Sequence, residues 1–219
     1  MATPIASTES SVDGAHDTPN TRGTRSRAGN AMGRTHEAAL RGAVAAIAKY
    51  GSRKATMGDI AMLAGIAKAT LYNHFRTRDD VYLAVATSEV GSVAAAARSK
   101  LPDGLDAAIA EAARLIGEHA AVRKIAVDDP AALAVLAAPG DGPAWSAARA
   151  QIAGALSDQG YVDSPVAIDV VLRYLASQLL APSTAQARAS AATLLMSAIA
   201  AQPPPEPEPD RVDTEGTSS

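Results

Sequence analysis

The chain has 219 residues, of which 47% are hydrophobic and only 3% aromatic, and its formal net charge is −3. It contains no cysteine, which excludes disulfides, thiolate metal sites and cysteine nucleophiles. No stretch approaches the roughly 18 apolar residues of a membrane span, and the first residues lack the pattern of a signal peptide. We therefore expect a cytoplasmic protein with no membrane partner.

Charged residues are distributed unevenly along the chain. Residues 20–78 contain eleven Arg and Lys but two acidic residues, whereas residues 86–219 contain nine basic and sixteen acidic residues. A basic segment joined to an acidic body indicates that one end of the molecule meets a polyanion. On charge alone, ordinary solvated side chains explain the pattern equally well.

Both ends of the chain lack apolar periodicity. Residues 1–30 are rich in Ser, Thr, Gly, Asp and Asn and predict a disordered tail that ends in a basic stretch. Met32 opens the first patterned segment, so Met1 and Met32 are both candidates for the native start. Residues 202–219 are rich in Pro and Glu and predict a second disordered tail.

Abundant alanine and helical spacing of apolar residues predict an all-α fold between the tails. Glycine and proline separate the helical segments, as expected of helix stops. In chain order, the predicted helices cover residues 35–50, 57–63, 67–75, 77–100, 104–118, 120–127, 130–137, 143–159, 164–180 and 185–200.

The second and third predicted helices form a candidate helix-turn-helix. They meet at a tight turn that contains Gly65, and Ile60, Ile66 and Leu71 are available to hold them together. The outer face of the second helix is then free, and it carries residue types that bind phosphate and read bases. These residues are Lys68, Thr70, Tyr72, Asn73 and His74, followed by Arg76 and Arg78. The alternative is a helical hairpin inside a bundle, which does not require so polar and basic a face.

From Arg34 to about Val85 the sequence resembles the DNA-binding domain of the tetracycline-repressor (TetR) family. The matching residues are Gly51, Ala55-Thr56, Asp59-Ile60-Ala61, Ala64-Gly65-Ile66, Thr70-Leu71-Tyr72, Phe75 and Arg78. The resemblance implies a three-helix DNA-binding domain at residues 31–80. It also implies a larger all-α domain for ligand binding and dimerisation at residues 81–201.

The resemblance also implies roles for single residues. Thr56 would cap the second helix and touch phosphate, and Lys68, Thr70 and Asn73 would face the major groove. Tyr72, His74 and Arg78 would contact phosphates. Two residues depart from the family pattern: Ala67 stands where a capping Ser or Thr is usual, and Ala69 replaces a common Gly. Loss of an N-cap costs roughly 1 kcal/mol of helix stability.

The family resemblance implies a dimeric repressor that binds a palindromic operator and is released by a small molecule. Residues 164–200 would form the homodimer interface and place two recognition helices about 34–36 Å apart, one turn of DNA. Two alternatives stay open. One is a ligand-independent architectural or co-regulator-dependent DNA-binding protein, and the other is an all-α enzyme or carrier.

A ligand pocket is expected among residues 104–180. Its polar or aromatic lining would come from His119, Arg123, Trp145, Tyr161 and Tyr174, although each of these also suits a purely structural place. The four histidines show no metal-ligand spacing, and no nucleophile elbow or phosphate loop is present. We therefore predict no catalytic residues, no enzyme activity, no metal and no cofactor.

Overall fold

The computed structural model describes residues 21–161 and 164–201, so the predicted tail segments 1–20 and 202–219 lie outside the described residues. The described residues form ten α-helices and one short 3-10 turn at Leu101–Asp103, without a strand. This confirms the all-α prediction. The helices are α1 (Thr21–Tyr50), α2 (Met57–Ala64), α3 (Lys68–His74), α4 (Arg78–Arg98), α5 (Leu105–Glu118), α6 (Ala120–Asp128), α7 (Pro130–Ala137), α8 (Pro143–Asp158), α9 (Pro165–Leu180) and α10 (Ala185–Ala200).

Helix α1 is longer than the sequence pattern indicated. The sequence predicts a disordered tail over residues 1–30, but the backbone is helical from Thr21. Residues 21–30 contain no proline, which would end a helix, so the helix can continue through a stretch without apolar periodicity.

Helices α1–α3 form a small unit, here called the head, which closes on the start of α4. Its core joins Leu40, Ile60, Leu71, Phe75 and Val81 with several buried alanines. At Gly42, helices α1 and α2 touch: a Cβ placed there would lie 2.6 Å from the Cβ of Ala64 and 2.7 Å from the carbonyl oxygen of Ile60. Only glycine allows this approach without moving one of the two helices.

Helices α4–α10, here called the body, pack around a second core. Leu105, Ile109, Leu156, Val171 and Met196 are its larger members, with small residues between them. Small side chains let helix axes approach closely, which suits this alanine-rich sequence. None of the described helices is both long and apolar enough to cross a membrane.

Head and body share several contacts besides the start of α4. Helix α1 packs along α6, and Gly51, at the end of α1, adopts φ of +84° directly against the carboxylate of Asp128. Arg53 Nε donates a hydrogen bond to Asp129 Oδ2 at 2.7 Å. Asp129 is buried, and its other oxygen caps α7 by accepting from the Ala132 amide. A displacement of α6 or α7 would therefore move Gly51 and Arg53, in the loop that precedes the helix-turn-helix.

Candidate nucleic-acid interface and internal cavity

The start of α2 is fixed by a capping box. Thr56 has extended backbone geometry, its hydroxyl accepts from the Asp59 amide at 3.1 Å, and Asp59 Oδ2 accepts from the Thr56 amide at 2.9 Å. The Thr56 hydroxyl also donates to Asp59 Oδ2 at 2.6 Å. These hydrogen bonds, from the hydroxyl first and the amide second, lower the pKa of Asp59 below its ordinary value. The helix-turn-helix thus begins at a point set by its own sequence.

The turn between α2 and α3 depends on glycine. Gly65 has φ of +67°, the left-handed conformation that β-carbon residues avoid, and the amide of Ile66 closes the turn on the Ala61 carbonyl at 3.0 Å. Helix α3 follows with Ala67 as its N-cap, and no side chain caps it. Because Ala67 departs from the family pattern, the first turn of α3 lacks the side-chain N-cap hydrogen bond that α2 receives from Thr56.

Helix α3 has one buried side and one exposed side. Leu71 is completely buried against α1 and α2, whereas Tyr72 is 45% exposed, and Lys68 and Asn73 are also exposed. Thr70 is half-buried. The Lys68 ammonium lies 5.9 Å from the centre of the Tyr72 ring, so the cation and the phenol form one patch on the outer face.

Two of the predicted phosphate contacts also hold the head together. His74 is half-buried, with its ring 5.9 Å from that of His36. Arg78 donates to the carbonyl oxygens of Arg53 at 3.1 Å and Ala55 at 3.5 Å. Its guanidinium also lies 5.5 Å from the centre of the Tyr82 ring. Arg78 thereby ties α4 to the loop before α2, a role that sequence spacing does not disclose.

The body contains a partly open cavity of about 420 Å³. Helices α4 to α9 contribute its walls, which are mainly alanine, valine, leucine and isoleucine side chains. Polar groups are few. Glu89 Oε2 lies 3.2 Å from His119 Nε2, and Trp145 adds an aromatic surface. A carboxylate only accepts hydrogen bonds, so Nε2 is the donor of this pair.

The cavity extends to the head. Ile47 of α1 and Ser52 of the following loop line it together with Tyr82 of α4. The Tyr82 hydroxyl donates to the Ser52 carbonyl at 2.9 Å, and burial raises the pKa of this phenol. A molecule that fills the cavity would therefore touch the segment that leads into the helix-turn-helix.

The structure brings only some of the sequence-predicted ligand residues to the cavity. His119 and Trp145 line it, whereas Arg123, Tyr161 and Tyr174 do not. The Arg123 guanidinium donates to the Gln178 and Leu179 carbonyls and so closes the end of α9. The Tyr174 hydroxyl donates to the Arg188 carbonyl at 3.4 Å, and burial raises its pKa. Tyr161 packs against the core of the body.

Glu89 is the cavity residue that sequence reasoning missed. It lies on α4 between Val85 and Val93, and an acidic residue in a helix is ordinarily solvated, so no sequence signal separates it from its exposed counterparts. Within the described ranges, no group of three or more histidine or acidic side chains is arranged to hold a metal ion.

Comparison with known proteins identifies the head. The model of the bacterial regulatory proteins of the tetR family matches residues 39–85, which contain α2, α3 and the parts of α1 and α4 that pack on them. Residues 39–85 are therefore a DNA-binding domain of the TetR type with a helix-turn-helix, as the resemblance implied, and a domain of this type indicates a transcriptional regulator.

Solved structures extend the likeness in fold to the body. The fatty acid degradation regulator FadR from Bacillus halodurans has a TM-score of 0.54 at 18% identity, covering 73% of this chain and 93% of that chain. A protein from Mesorhizobium loti, described as a TetR-family transcriptional regulator, has a TM-score of 0.50 at 15% identity, covering 77% and 96%. At such identities the likeness concerns the fold. A comparison with curated proteins gives no match.

Proposed function

We propose that this TetR-family regulator is a homodimeric repressor that binds a palindromic operator through α3 and releases it when a small molecule fills the body. The observation that carries the proposal is the division of α3 between buried Leu71 and the exposed Lys68, Tyr72 and Asn73. A helix anchored on one side with polar residues on the other fits the major groove.

The predicted DNA contacts divide into two kinds under this proposal. Lys68, Thr70 and Asn73 would reach base edges, while Thr56, Tyr72, His74 and Arg78 would contact the backbone. The exposed Lys68 and Tyr72 are free to meet DNA, because the one contact between them lies on the outer face. His74 and Arg78 would contribute to DNA binding chiefly by holding α3 in place, since both are already engaged within the head.

The surface of α9 and α10 supports dimerisation. Val166 and Val170 on α9 are 62% and 41% exposed, and Leu194 on α10 is 71% exposed. Ala187 and Ala198 continue the Leu194 stripe at helical spacing and are also exposed. Exposed apolar residues in rows on two neighbouring helices suit a four-helix contact with a second copy. These residues fall within 164–200, where the homodimer interface is expected from the sequence, and we propose that surface as the dimer contact.

The cavity supports ligand-controlled release. Its volume lies within the range of small-molecule sites, and its apolar walls suit a ligand that is mainly hydrocarbon. The similar Bacillus halodurans protein is a regulator of fatty acid degradation, which is consistent with such a ligand. Ile47 and Ser52 line the cavity, so a bound ligand would contact the head directly. We propose that the ligand favours a dimer whose two heads no longer fit successive major grooves of DNA.

The ligand-independent alternative is less well supported, because a body of that kind has no need of a cavity. The alternative of an all-α enzyme or carrier has no observation in its favour beyond the same cavity. We propose the cytoplasm as the site of action, since an operator-binding protein must meet DNA there.

Selection from random double-stranded DNA tests the proposal. We expect the purified wild type to enrich one palindrome and Tyr72→Ala or Lys68→Ala to lose at least tenfold in affinity for it, roughly the loss of 1.4 kcal/mol. Lys100→Ala, which removes an exposed lysine just after the end of α4 and away from α3, is the matched control and should bind as the wild type does. Unpatterned binding that fades steeply with salt would contradict sequence-specific recognition.

A further inference from the structure

The charged side chains that line the cavity of the body leave one negative charge without a lysine or arginine partner. Among the residues that line it, Glu89 is the one acidic side chain and Arg98 the one arginine or lysine. Arg98 is already engaged, since its Nη1 lies 2.5 Å from Asp158 Oδ2. Glu89 faces only the His119 ring among the partners that the structure describes for it, at 3.2 Å. The cavity therefore holds a carboxylate without a guanidinium or ammonium beside it.

Glu89 keeps a free hydrogen-bond acceptor in the cavity. Its carboxylate accepts from His119 Nε2 through one oxygen, and its second oxygen remains an acceptor. His119 Nδ1 and the Ser52 hydroxyl are buried without a hydrogen-bond partner among the described residues, so the cavity carries unused polar groups besides Glu89 but no second unpaired acid and no unpaired lysine or arginine. The surrounding walls from α4, Val85, Val90 and Val93, are apolar.

We infer that the cavity selects a ligand with a long apolar part and a positively charged or hydrogen-donating head, an alkyl ammonium type of amphiphile, which Glu89 binds. The inference rests on the proposed function in that it names the ligand class for the cavity. A carboxylate amphiphile with the same alkyl chain is disfavoured, because its head group would place a second negative charge beside Glu89 with no counter-ion. Two unit charges about 4 Å apart near a protein surface interact strongly enough to decide between the two heads.

The position of Glu89 on α4 gives the ligand a defined direction. Glu89 lies seven residues after Tyr82 and eight before Ala97, and both of these residues lie on α4 and line the cavity. At about 1.5 Å per residue, these distances along α4 are roughly 10 Å and 12 Å. Leu101 of the following 3-10 turn also lines the cavity and extends the second part further. A ligand whose charged group binds Glu89 would therefore place its apolar tail in the longer part of the cavity, towards Leu101. The shorter part leads towards Ser52 and helices α1–α3.

Three probes with the same chain test the inference: decylammonium, decanol and decanoate, each below the concentration at which it aggregates. Trp145 is the only tryptophan of the sequence and lines the cavity, so its fluorescence reports occupancy in the full-length protein. We expect decylammonium to bind about tenfold or more tightly than decanoate, with decanol between them. Glu89→Gln should reduce this preference to about threefold or less. Glu37→Gln, on the exposed surface of α1, should preserve it.

The binding of the three probes to the wild-type protein tests the ligand class by itself and does not depend on the folding of a variant. Equal binding of decylammonium and decanoate, tighter binding of decanoate, or no response of Trp145 to any probe would overturn the inference. An undiminished preference in a folded Glu89→Gln protein would overturn the role of Glu89. Release of the selected operator is measured separately with the same probes. If decylammonium binds as expected but the operator stays bound, the proposed ligand release fails while the ligand class stands.

Discussion

Helix α3 of the head and helix α4 of the body both carry polar side chains that we propose as binding residues, but these lie in opposite environments. Helix α3 buries Leu71 and turns Lys68, Tyr72 and Asn73 to solvent, whereas Glu89 of α4 lines the cavity among valines and alanines. Under the proposals above, DNA would bind at the outer surface of the head. A small molecule would bind inside the body, where the charge of Glu89 among apolar walls would select its polar group.

The two regions also differ in what fixes their geometry. The helix-turn-helix is set by local devices, the Thr56–Asp59 capping box and the left-handed Gly65. The cavity is formed by the packing of six helices of the body, α4 to α9, and no local sequence feature determines which side chain of α4 faces it. Changes that act on one region and spare the other are therefore the sharpest tests of this division.

The largest expected effect is at Gly42, where α1 and α2 cross. Gly42→Ala places a Cβ 2.6 Å from both the Cβ and the amide nitrogen of Ala64, so one helix must move. We expect a loss of about 1–3 kcal/mol in the free energy of unfolding, as for other over-packed sites, and a loss of operator affinity. Thermal unfolding and DNA titration measure these effects.

Gly91→Ala is the matched control for Gly42→Ala, because a Cβ at Gly91 meets nothing within 4 Å. This exposed position within α4 should gain about 0.5–1 kcal/mol from the better helix propensity of alanine. The fluorescence of Trp145 should be unchanged in both variants, since Trp145 belongs to the body. A Gly42→Ala protein as stable as the wild type would show that the crossing of α1 and α2 is not closely packed.

The same contrast explains what the sequence could predict. Every helix from α2 to α10 was predicted within about three residues, because the Gly and Pro stops and the cap Thr56 are local features of the sequence. The start of α1 at Thr21 was missed, because residues 21–30 have no apolar periodicity from which a helix can be predicted.

The interior of the body could be predicted only in part. Periodicity shows which residues share a face of α4 or α9, but the rotation of each helix against its neighbours decides which polar residue meets the cavity. His119 and Trp145 do line it, whereas Arg123 and Tyr174 instead donate to backbone carbonyls. No local sequence feature predicts that Glu89 lines the cavity. The hydrogen bonds from Arg78 to the Arg53 and Ala55 carbonyls join positions more than twenty residues apart, which a single sequence does not pair.

A gain of stability is expected at the one weak point of the recognition motif. Ala67 is the N-cap of α3 and offers no side-chain acceptor, while its extended backbone already suits a capping residue. Ala67→Ser should therefore stabilise the head by about 1 kcal/mol. Ala69→Ser, an exposed position inside α3, is the control and should be neutral or slightly destabilising. Urea unfolding compares them, and equal stability of Ala67→Ser and the wild type would contradict an unsatisfied first turn.

A smaller effect is expected where the two regions meet, at the ion pair of Arg53 and Asp129. Arg53 is 71% exposed and Asp129 is 9% exposed, so solvent screens the pair and its contribution to stability should be less than about 1 kcal/mol. Asp129→Asn keeps the cap of α7 but weakens the pair, and Arg53→Gln removes the charge of its partner.

A double-mutant cycle on Arg53 and Asp129 isolates their interaction. We expect a small coupling free energy in thermal unfolding and, if the pair transmits ligand binding to the head, a weaker release of operator at the same cavity occupancy. Arg41→Gln serves as the control, since its contact with Glu37 at 3.9 Å lies within α1 on the exposed surface. Strictly additive variants in both assays would show that the Arg53–Asp129 pair does not couple the head to the body, and that their other contacts, such as the packing of α1 along α6, join them.

The smallest expected effect is the dependence of the head on pH through Asp59. Its folded pKa is lowered by the Thr56 hydroxyl and amide, so the stabilisation it provides is present above the ordinary value of 3.8 and is lost as the pH falls below that value through the folded pKa. Urea unfolding between pH 5 and pH 3 should thus show a shallower loss for Asp59→Asn than for the wild type. Thr56→Ala should flatten the same part of the profile, because it removes the largest cause of the shift. Coincident slopes for all three proteins would mean that the capping box does not persist in solution, and the start of the recognition motif would then depend on the packing of α1 alone.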